Sequence, residues 1–386
     1  MLQTLAVANY RSLQGLVVPM DRLNLVTGDN GSGKSSLYRA LRLLAETAQG
    51  GVAAALAREG GLASALWAGP EQLDRRVRDG EMPLQGTART QPVSLRLGFA
   101  AEAFGYAIDL GLPVPSQSMF DLEPQIKAEC IWAGPFLRTA NLLVERRGAR
   151  VRRRAGRSWE ALDEPLSGFD SLFSQLADPQ RMPEVMQLRE YIRRWRFHDH
   201  FRTDSAAPAR QPTLAIRTPV LGHDGHDLAA AWQTILEIGD APALARSVDD
   251  AFPGAQVAID AHDGRLSLSL RQPGLLRPLA ATELSDGTLR YLLLVAALHT
   301  PRPPPLLVLN EPETSLHPDL LPALARLIIA ASARSQLWVV SHASRLIAAL
   351  QEDPACHTIG LHKAFGRTCV EGQGLLDAPA WHWPTR

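Results

Sequence analysis

Short apolar runs open the chain. Residues 2–9 and 22–27 read as strands, and the second, LNLVT, runs straight into the glycine-rich stretch GDNGSGKSS. Beyond it Leu37, Leu41 and Leu44 recur at helical spacing within LYRALRLLAETA. Strand, glycine loop and helix in that order form the setting of a phosphate-binding loop. Residues 92–161 read as β-rich: VSLRLGFA and YAIDLGL alternate, and LLVERRGARVRRR predicts a hairpin turning at Gly148. Helices are expected over 170–202 and 228–250, with Pro208, Pro212 and Pro219 marking a loop between them. AQVAIDAHDGRLSLSLR predicts a second hairpin, turning at Asp263-Gly264. From 288 onward helices (288–299, 318–333, 343–350) alternate with the apolar strands PLLVLN and QLWVVS, the mark of a mostly parallel sheet. A small hairpin is expected over 356–372.

The chemistry sits at the ends of these runs. Gly28-Asp29-Asn30-Gly31-Ser32-Gly33-Lys34-Ser35 matches GxxxxGK[ST] in full, and Ser36 continues it into the helix. Glycines let backbone N–H groups wrap phosphates, Lys34 reaches the β and γ oxygens, and the Ser35 hydroxyl is a ligand for Mg²⁺. The dipole of the following helix adds to the pull on an anion. ATP and Mg²⁺ are therefore the expected cofactors. The buried strand LLVLN ends in Asn310-Glu311-Pro312-Glu313, and Glu311 is placed to polarise an attacking water as general base. Leu284-Ser285-Asp286-Gly287-Thr288 precedes a helix and can form an anion-binding end. Ser341-His342 ends another strand, where a histidine can hydrogen-bond a γ-phosphate.

The order of these motifs, with Ser315-Leu316-His317-Pro318 between the last two, resembles that of ABC-type ATPases. The opening Asn9-Tyr10-Arg11-Ser12 is similar to the start of the RecF, SMC and OLD-like branch, and NEPETSLHP resembles that branch's EPE-containing ATPases. The resemblance covers about 1–48 and 275–350. It implies an α/β fold: a P-loop NTPase head of ABC type with a mixed sheet, an antiparallel β-rich lobe and a helical insertion. One head would span 1–386, with 1–48 and 251–386 as nucleotide-binding core, 49–169 as the β-rich lobe and 170–250 as a helical lid. It implies that Ser285, Asp286 and Gly287 act in trans on ATP held by a partner copy, in an ATP-dependent homodimer. Residues 315–318 would couple the two sites. His342 would be the switch histidine, Gln175 would sense Mg²⁺ and water, and Arg11 would approach the nucleotide. One departure stands out: the family usually carries aspartate where this chain has Asn310. Asparagine brings no charge to the Mg²⁺ shell, so hydrolysis is expected to be slow.

Composition narrows the partners. Basic and acidic residues balance at 40 each, so only a local patch could recruit nucleic acid. Arg146, Arg147, Arg150, Arg152, Arg153, Arg154 and Arg157 cluster on one expected hairpin. Arg193, Arg194, Arg196 and Arg202 are expected on a helix with Trp195, Phe197 and Phe201 interleaved. Such patches could track a phosphate backbone, or could be solvated faces balanced by acids. Lysine occurs only at Lys34, Lys127 and Lys363, so a lysine kept in the glycine loop fits a need for a compact ammonium. Cys130, Cys356 and Cys369 form no CxxC pair, which fits a reducing cytoplasm. The longest apolar run is about 291–298, far short of the roughly 20 residues that span a bilayer, so no membrane role is expected. His198-Asp199-His200 and the histidines and aspartates of 223–227 lack a second cluster with metal-ligand spacing. About 250 residues separate Lys34 from Ser285, too many for a transporter's ATPase subunit, and they lack the heptads of an SMC coiled coil. About 44 residues follow His342, too few for a Toprim nuclease domain. Two roles remain open: an ATPase acting on DNA in repair or genome maintenance, and a switch that controls a separate nuclease or toxin, as in phage-defence pairs.

Overall fold

The computed structural model describes residues 1–70, 92, 94–176, 178–199, 201–374 and 377–386. Of the stretches read above, residues 71–91, Val93, Ala177 and His200 lie outside them. In chain order the elements are β1 (Leu2–Tyr10), β2 (Leu13–Pro19), β3 (Leu23–Gly28), α1 (Lys34–Thr47), α2 (Val52–Arg58) and α3 (Gly61–Ala65). Next come β4 (Leu95–Ala101), β5 (Phe104–Gly111), β6 (Gln125–Ala133), β7 (Leu142–Arg147), β8 (Arg150–Ala155) and β9 (Ser158–Ala161). The middle holds α4 (Leu172–Gln175), α5 (Pro183–Arg193), β10 (Arg196–His198), β11 (Thr213–Leu214), α6 (Leu228–Ile238) and α7 (Ala241–Ala251). It continues with β12 (Gln256–His262), β13 (Arg265–Arg271) and β14 (Leu279–Ala280). The last part holds α8 (Asp286–Leu298), β15 (Leu306–Asn310), α9 (Leu321–Ser332), β16 (Gln336–Val340), α10 (Ser344–Gln351), β17 (Cys356–Ala364) and β18 (Arg367–Val370).

The chain divides into two compact units. The first holds Met1–Met20, Gly28–Arg194 and Ile359–Arg386. Its sheet is antiparallel, in the order β2-β1-β4-β5-β6-β7-β8-β9. The N-terminal strands thus join the same sheet as the β-rich stretch. Helix α1 buries Leu37, Leu41 and Leu44, the stripe its spacing predicts. Two charges inside this unit are satisfied rather than free. Glu129 accepts from the Tyr106 and Ser171 hydroxyls (2.6 Å each) and from the Leu172 N–H (3.0 Å). Arg146 lies 3.5 Å from Glu129 and also donates to the carbonyls of Gly148, Ser167 and Asp170. A buried pair tolerates its desolvation only when such extra bonds close it off. The network ties the sheet to the turn that starts α4.

The second unit holds Asp21–Thr27 and Trp195–Thr358. Its strands β10, β15, β16 and β3 lie side by side, all parallel. LLVLN and QLWVV are apolar without alternation because both faces of a parallel sheet are covered. Helix α8 is buried at every position from Leu289 to Leu298, and α9 and α10 add to the same core. A small antiparallel sheet, β11-β13-β12 with β14 on β13, packs against α6 and α7.

Two expectations are corrected here. The helix read over 228–250 is two helices, broken at Gly239; Asp240 caps the second through the Ala243 N–H (2.9 Å). The stretch read as helical over 170–202 holds two short helices, α4 (Leu172–Gln175) and α5 (Pro183–Arg193), and residues Arg196–His198 form a strand. Trp195 and Phe197 are spaced by two, not by three or four, and both are buried, at 2% and 7% exposure. They belong to the core, so the arginines beside them do not line one aromatic-studded helix face.

Candidate functional site

The phosphate loop belongs to the first unit. Gly28, Gly31 and Gly33 take φ of 139°, 80° and 114°, conformations closed to side-chain-bearing residues without strain. A Cβ on Gly28 would overlap the Leu361 carbonyl oxygen, and one on Gly33 would overlap the Thr368 hydroxyl. A Cβ on Gly31 would meet nothing within 4 Å. One side of the loop is therefore packed against the β17–β18 hairpin and the other is open. Thr368, 4% exposed, does the holding: its hydroxyl donates to the Ser32 carbonyl (2.7 Å) and accepts from the Ser12 hydroxyl (2.8 Å). Its N–H donates to the Ser12 carbonyl (2.8 Å).

Lys34 is the first residue of α1 and only 7% exposed. Its Nζ donates to the carbonyls of Gly28 (2.5 Å) and Asp29 (3.0 Å), which curls the loop round the ammonium. The buried Ser32 Oγ has no hydrogen-bond partner among the described residues. A positive-φ cradle, a lysine at its centre, an orphaned hydroxyl and a helix N-terminus behind it fit a polyphosphate, with Ser35 and Ser36 opening the helix. Asp29, Asn30 and Gly31 form its exposed rim.

Arg11 and Gln175 lie in the same unit, each with partners. Arg11 takes φ 49° and pairs with Glu59 at 2.8 Å. Glu59 also accepts from Tyr10 (2.7 Å). Burial, the largest single influence, lowers the Arg11 pKa, but the hydrogen bonds and charges of Glu59 and Tyr10 together outweigh it and hold the guanidinium above its ordinary value. Gln175 closes α4 and donates to Asp170 (2.7 Å).

The second unit brings together Ser285, Asp286, Gly287, Asn310, Glu311 and His342. Strands β15 and β16 are parallel neighbours, with Asn310 abreast of Val340, so Glu311 and His342 leave the same edge of the sheet. This carboxyl edge is where parallel sheets bind ligands. Here β3, the strand that runs into the glycine loop, ends as well. Glu311 takes φ 49°, a strained setting for a side-chain-bearing residue, and donates its N–H to the Val340 carbonyl (2.8 Å). His342 Nδ1 lies 3.8 Å from Glu311 and 3.6 Å from Glu313, beyond hydrogen-bond range of both but within Coulomb reach.

Glu313 was not singled out by the motifs, yet it organises the site. It is 8% exposed. Its Oε1 accepts from the Ser341 hydroxyl (2.7 Å), the His342 N–H (3.0 Å) and the Ala343 N–H (3.2 Å). The first glutamate of the EPE run thus faces outward and the second fixes the loop carrying the histidine.

Ser285 caps α8, its Oγ accepting from the Thr288 N–H (3.2 Å), and stays exposed. Two contacts tie this helix to the Glu311 turn. A Cβ on Gly287 would lie 2.8 Å from the Ser315 carbonyl oxygen, so glycine lets that loop close on the helix. One turn on, buried Arg290 donates to the carbonyls of Glu311 (3.2 Å) and Pro312 (3.4 Å). Burial pulls the Arg290 pKa down, against the pull of Glu313 and Glu311. A second arginine missed in the sequence, Arg210, holds the other side: it donates to carbonyls of Thr203, Ala281 and Leu284 and pairs with Asp286 at 2.8 Å. A lone arginine in a proline-rich loop gives no pattern to detect.

The arginine-rich hairpin carries its own counter-charges. Arg152 donates to Glu145, its cross-strand neighbour, at 2.6 Å, and Arg147 to the same carboxylate at 2.8 Å. Arg153 meets Glu160 at 2.8 Å, and Arg152 and Arg154 stack on Trp159. On β10's far side, Arg202 pairs with Asp204.

A family model described as "AAA domain, putative AbiEii toxin, Type IV TA system" matches residues 23–348, more than half the chain. No curated protein matches. Among solved structures, an Smc head bound to the C-winged helix domain of ScpA aligns with a TM-score of 0.51 at 13% identity, covering 98% of this chain and 99% of that one. An SMC head domain from Thermotoga maritima aligns with a TM-score of 0.45 at 15% identity, covering 97% and 99%. An Smc head from Pyrococcus furiosus, bound to the C-terminal domain of ScpA, aligns at 0.47 and 13%, covering 98% and 97%.

Proposed function

The chain belongs to this AAA family and is an ATP-binding, ATP-hydrolysing P-loop protein, and from that premise we propose that it is a switch: a homodimer closed by ATP that controls a separate effector protein. The observation that carries the proposal is the double tie between α8 and the Glu311 turn, through Gly287 against Ser315 and through Arg290 on two carbonyls. An anion caught at the exposed start of α8 moves the same backbone that carries Glu311. A γ-phosphate held on the loop of a second copy is such an anion, and two-fold symmetry doubles the contact.

In this scheme Lys34 and the loop N–H groups hold the phosphates, and Ser35 holds Mg²⁺, which neutralises charge on them. Ser285 and Gly287 close on the partner's nucleotide. Glu311 takes a proton from water, and His342 follows the γ-phosphate beside it. Asn310 keeps turnover slow. Arg11 and Gln175 act only after exchanging their present partners, Glu59 and Asp170.

The effector reading is favoured over the DNA reading because the arginine hairpin is paired with Glu145 and Glu160 inside the chain. In one similar head structure the bound partner is itself a protein domain, that of ScpA. Three free cysteines fit a cytoplasmic setting. Among the described residues no helix is long and apolar enough to cross a membrane.

The test is Glu311→Gln with ATP and Mg²⁺, followed by size exclusion with light scattering. A stable dimer is expected, and Glu311→Gln combined with Ser285→Arg should run as a monomer. A strict monomer in the first case would refute the dimer. A dimer that forms without ATP in both cases would remove the switch.

A further inference from the structure

Side chains alternate along a strand, so the β-rich sheet of the first unit has two faces. One carries Leu97 and Phe99, abreast of Ile108 and Tyr106. The other is made of small residues: Gly98 abreast of Ala107 and Ala100 abreast of Gly105, with Cys130 and Trp132 next to them on β6. Glycine in a strand marks a close approach, and here two indoles make it. A Cβ on Gly105 would overlap the Trp132 ring, and one on Gly98 would overlap the Trp381 ring. Trp381 meets Trp132 edge-on at 5.6 Å and Trp383 at 5.3 Å, and both Trp381 and Trp383 pack on the cluster of Ala100, Ala107, Cys130, Trp132 and Leu142. Two residues along the same face Arg96 stands abreast of Asp109. Asp109 is 0% exposed; it accepts from the Ser94 hydroxyl (2.8 Å) and from Nε and Nη2 of Arg386 (2.8 Å each). The face is thus a hollow that takes aromatic rings, with a buried carboxylate at one end that takes a guanidinium.

We propose that this hollow is a recognition groove for a linear segment of a partner protein that presents two aromatic rings and a guanidinium, and that residues 377–386 fill it until such a segment displaces them. Those residues belong to the same compact unit as the sheet. They form no helix or strand, and each of them keeps part of its surface in solvent. Side chains hold them: Trp381 and Trp383 in the hollow, Arg386 on Asp109, and the Thr385 hydroxyl under Arg147 (3.0 Å). Their fit is incomplete. The N–H groups of Trp132 and Trp381 are buried without an acceptor among the described residues, and Trp132 is 0% exposed. A buried donor left unpaired is disfavoured, so a partner segment that brings a carbonyl to the Trp132 N–H makes a bond that residues 377–386 do not. Charge selects the partner as well: an acidic segment would set a carboxylate against buried Asp109. The groove uses none of the nucleotide residues, and the proposal stands apart from the switch reading.

The experiment replaces Trp381, Trp383 and Arg386 by alanine in the full chain, which empties the groove, and follows a fluorescein-labelled peptide of residues 377–386, DAPAWHWPTR, by anisotropy. The peptide should bind this variant at least about tenfold more tightly than the unaltered chain, whose tethered segment competes at about millimolar effective concentration. A peptide with alanine for its arginine should bind about tenfold more weakly, because it leaves a buried carboxylate short of a partner. A peptide with alanine for both tryptophans should not bind. No binding to a variant that melts cooperatively, equal binding to both chains, or equal binding of the peptide without arginine would overturn the proposal. Where the triple variant does not fold, Arg386→Ala alone serves: peptide affinity should rise at least about threefold over the unaltered chain, and an unchanged affinity would overturn the proposal. Light scattering of the unaltered chain without nucleotide should give the same mass with and without excess peptide. A dimer that parts into monomers would give the groove to a second copy's segment and overturn the partner reading.

Discussion

Glu313 bears the sharpest test of how the site is built. Removing its carboxylate by Glu313→Ala strips the acceptor from three donors at once: the fully buried Ser341 hydroxyl and the N–H groups of His342 and Ala343. A hydrogen bond to a charged group contributes about 1.5–3 kcal/mol. The three do not sum, because the Ala343 N–H keeps a 3.2 Å contact to Ser341 Oγ. The Ser341 hydroxyl and the His342 N–H are left without an acceptor at about 1–3 kcal/mol each, so about 3–5 kcal/mol is expected. For a unit of this size each kcal/mol shifts the melting temperature by about 2–4 °C, so the midpoint should fall by roughly 6–20 °C. Glu313→Gln keeps a carbonyl oxygen where Oε1 stands and should cost about 1–2 kcal/mol. Glu311→Gln should leave the midpoint within about 2 °C, because Glu311 holds its neighbours through backbone and not through its carboxylate. Thermal unfolding followed by circular dichroism decides it. If Glu313→Ala and Glu311→Gln shift the midpoint alike, Glu313 does not hold the histidine loop.

Four further outcomes are expected. Lys34→Ala should abolish nucleotide binding in calorimetry, and unchanged affinity would overturn the assignment of the loop. Thr368→Val keeps the shape behind Gly33 but removes hydroxyl bonds to Ser32 and Ser12, so nucleotide affinity should drop several-fold with about 1–3 kcal/mol of stability; an unchanged affinity would remove the hairpin's role. His299 is 8% exposed and burial pushes it down to about 4 from 6.5, so the unfolded chain takes up its proton first as pH falls. Stability should be complete above pH 6.5 and decline through pH 4 by about 3 kcal/mol from this group, and His299→Asn should flatten that part of the melting-temperature curve. Finally, replacing Arg152, Arg153 and Arg154 by alanine should not change the salt slope of any DNA binding, because these side chains meet Glu145, Glu160 and Trp159; a flattened slope in filter binding would revive the DNA role.

Local chemistry was legible in the chain and long-range chemistry was not. GDNGSGKSS, the hairpin turns and the strands ahead of Glu311 and His342 carry their meaning within a few residues, and the structure puts loops and strand ends there. Residues 193–202 misled because arginines alternate with aromatics, and a composition of basic and apolar residues says helix face or strand depending on a spacing only a short segment displays. The pairing of Arg152 with Glu145 is fixed by cross-strand register, which composition does not hold. Glu313 looks like an echo of Glu311, and only the fold shows that it faces the loop after β16.

The support behind the phosphate loop has a consequence for how the chain is made. Thr368 meets Ser32 across 336 positions and Ser12 across 356. Closing a segment of that length costs about 5 kcal/mol in chain entropy, and contacts so distant in sequence form late in folding. A ribosome therefore adds 336 residues after Ser32 before the loop's backing exists. Until then Gly28 and Gly33 lack the hairpin behind them, and the glycine loop waits for support that lies 336 positions further on. A growing chain cannot draw on ATP to guide its own assembly; nucleotide capture is reserved for the finished molecule.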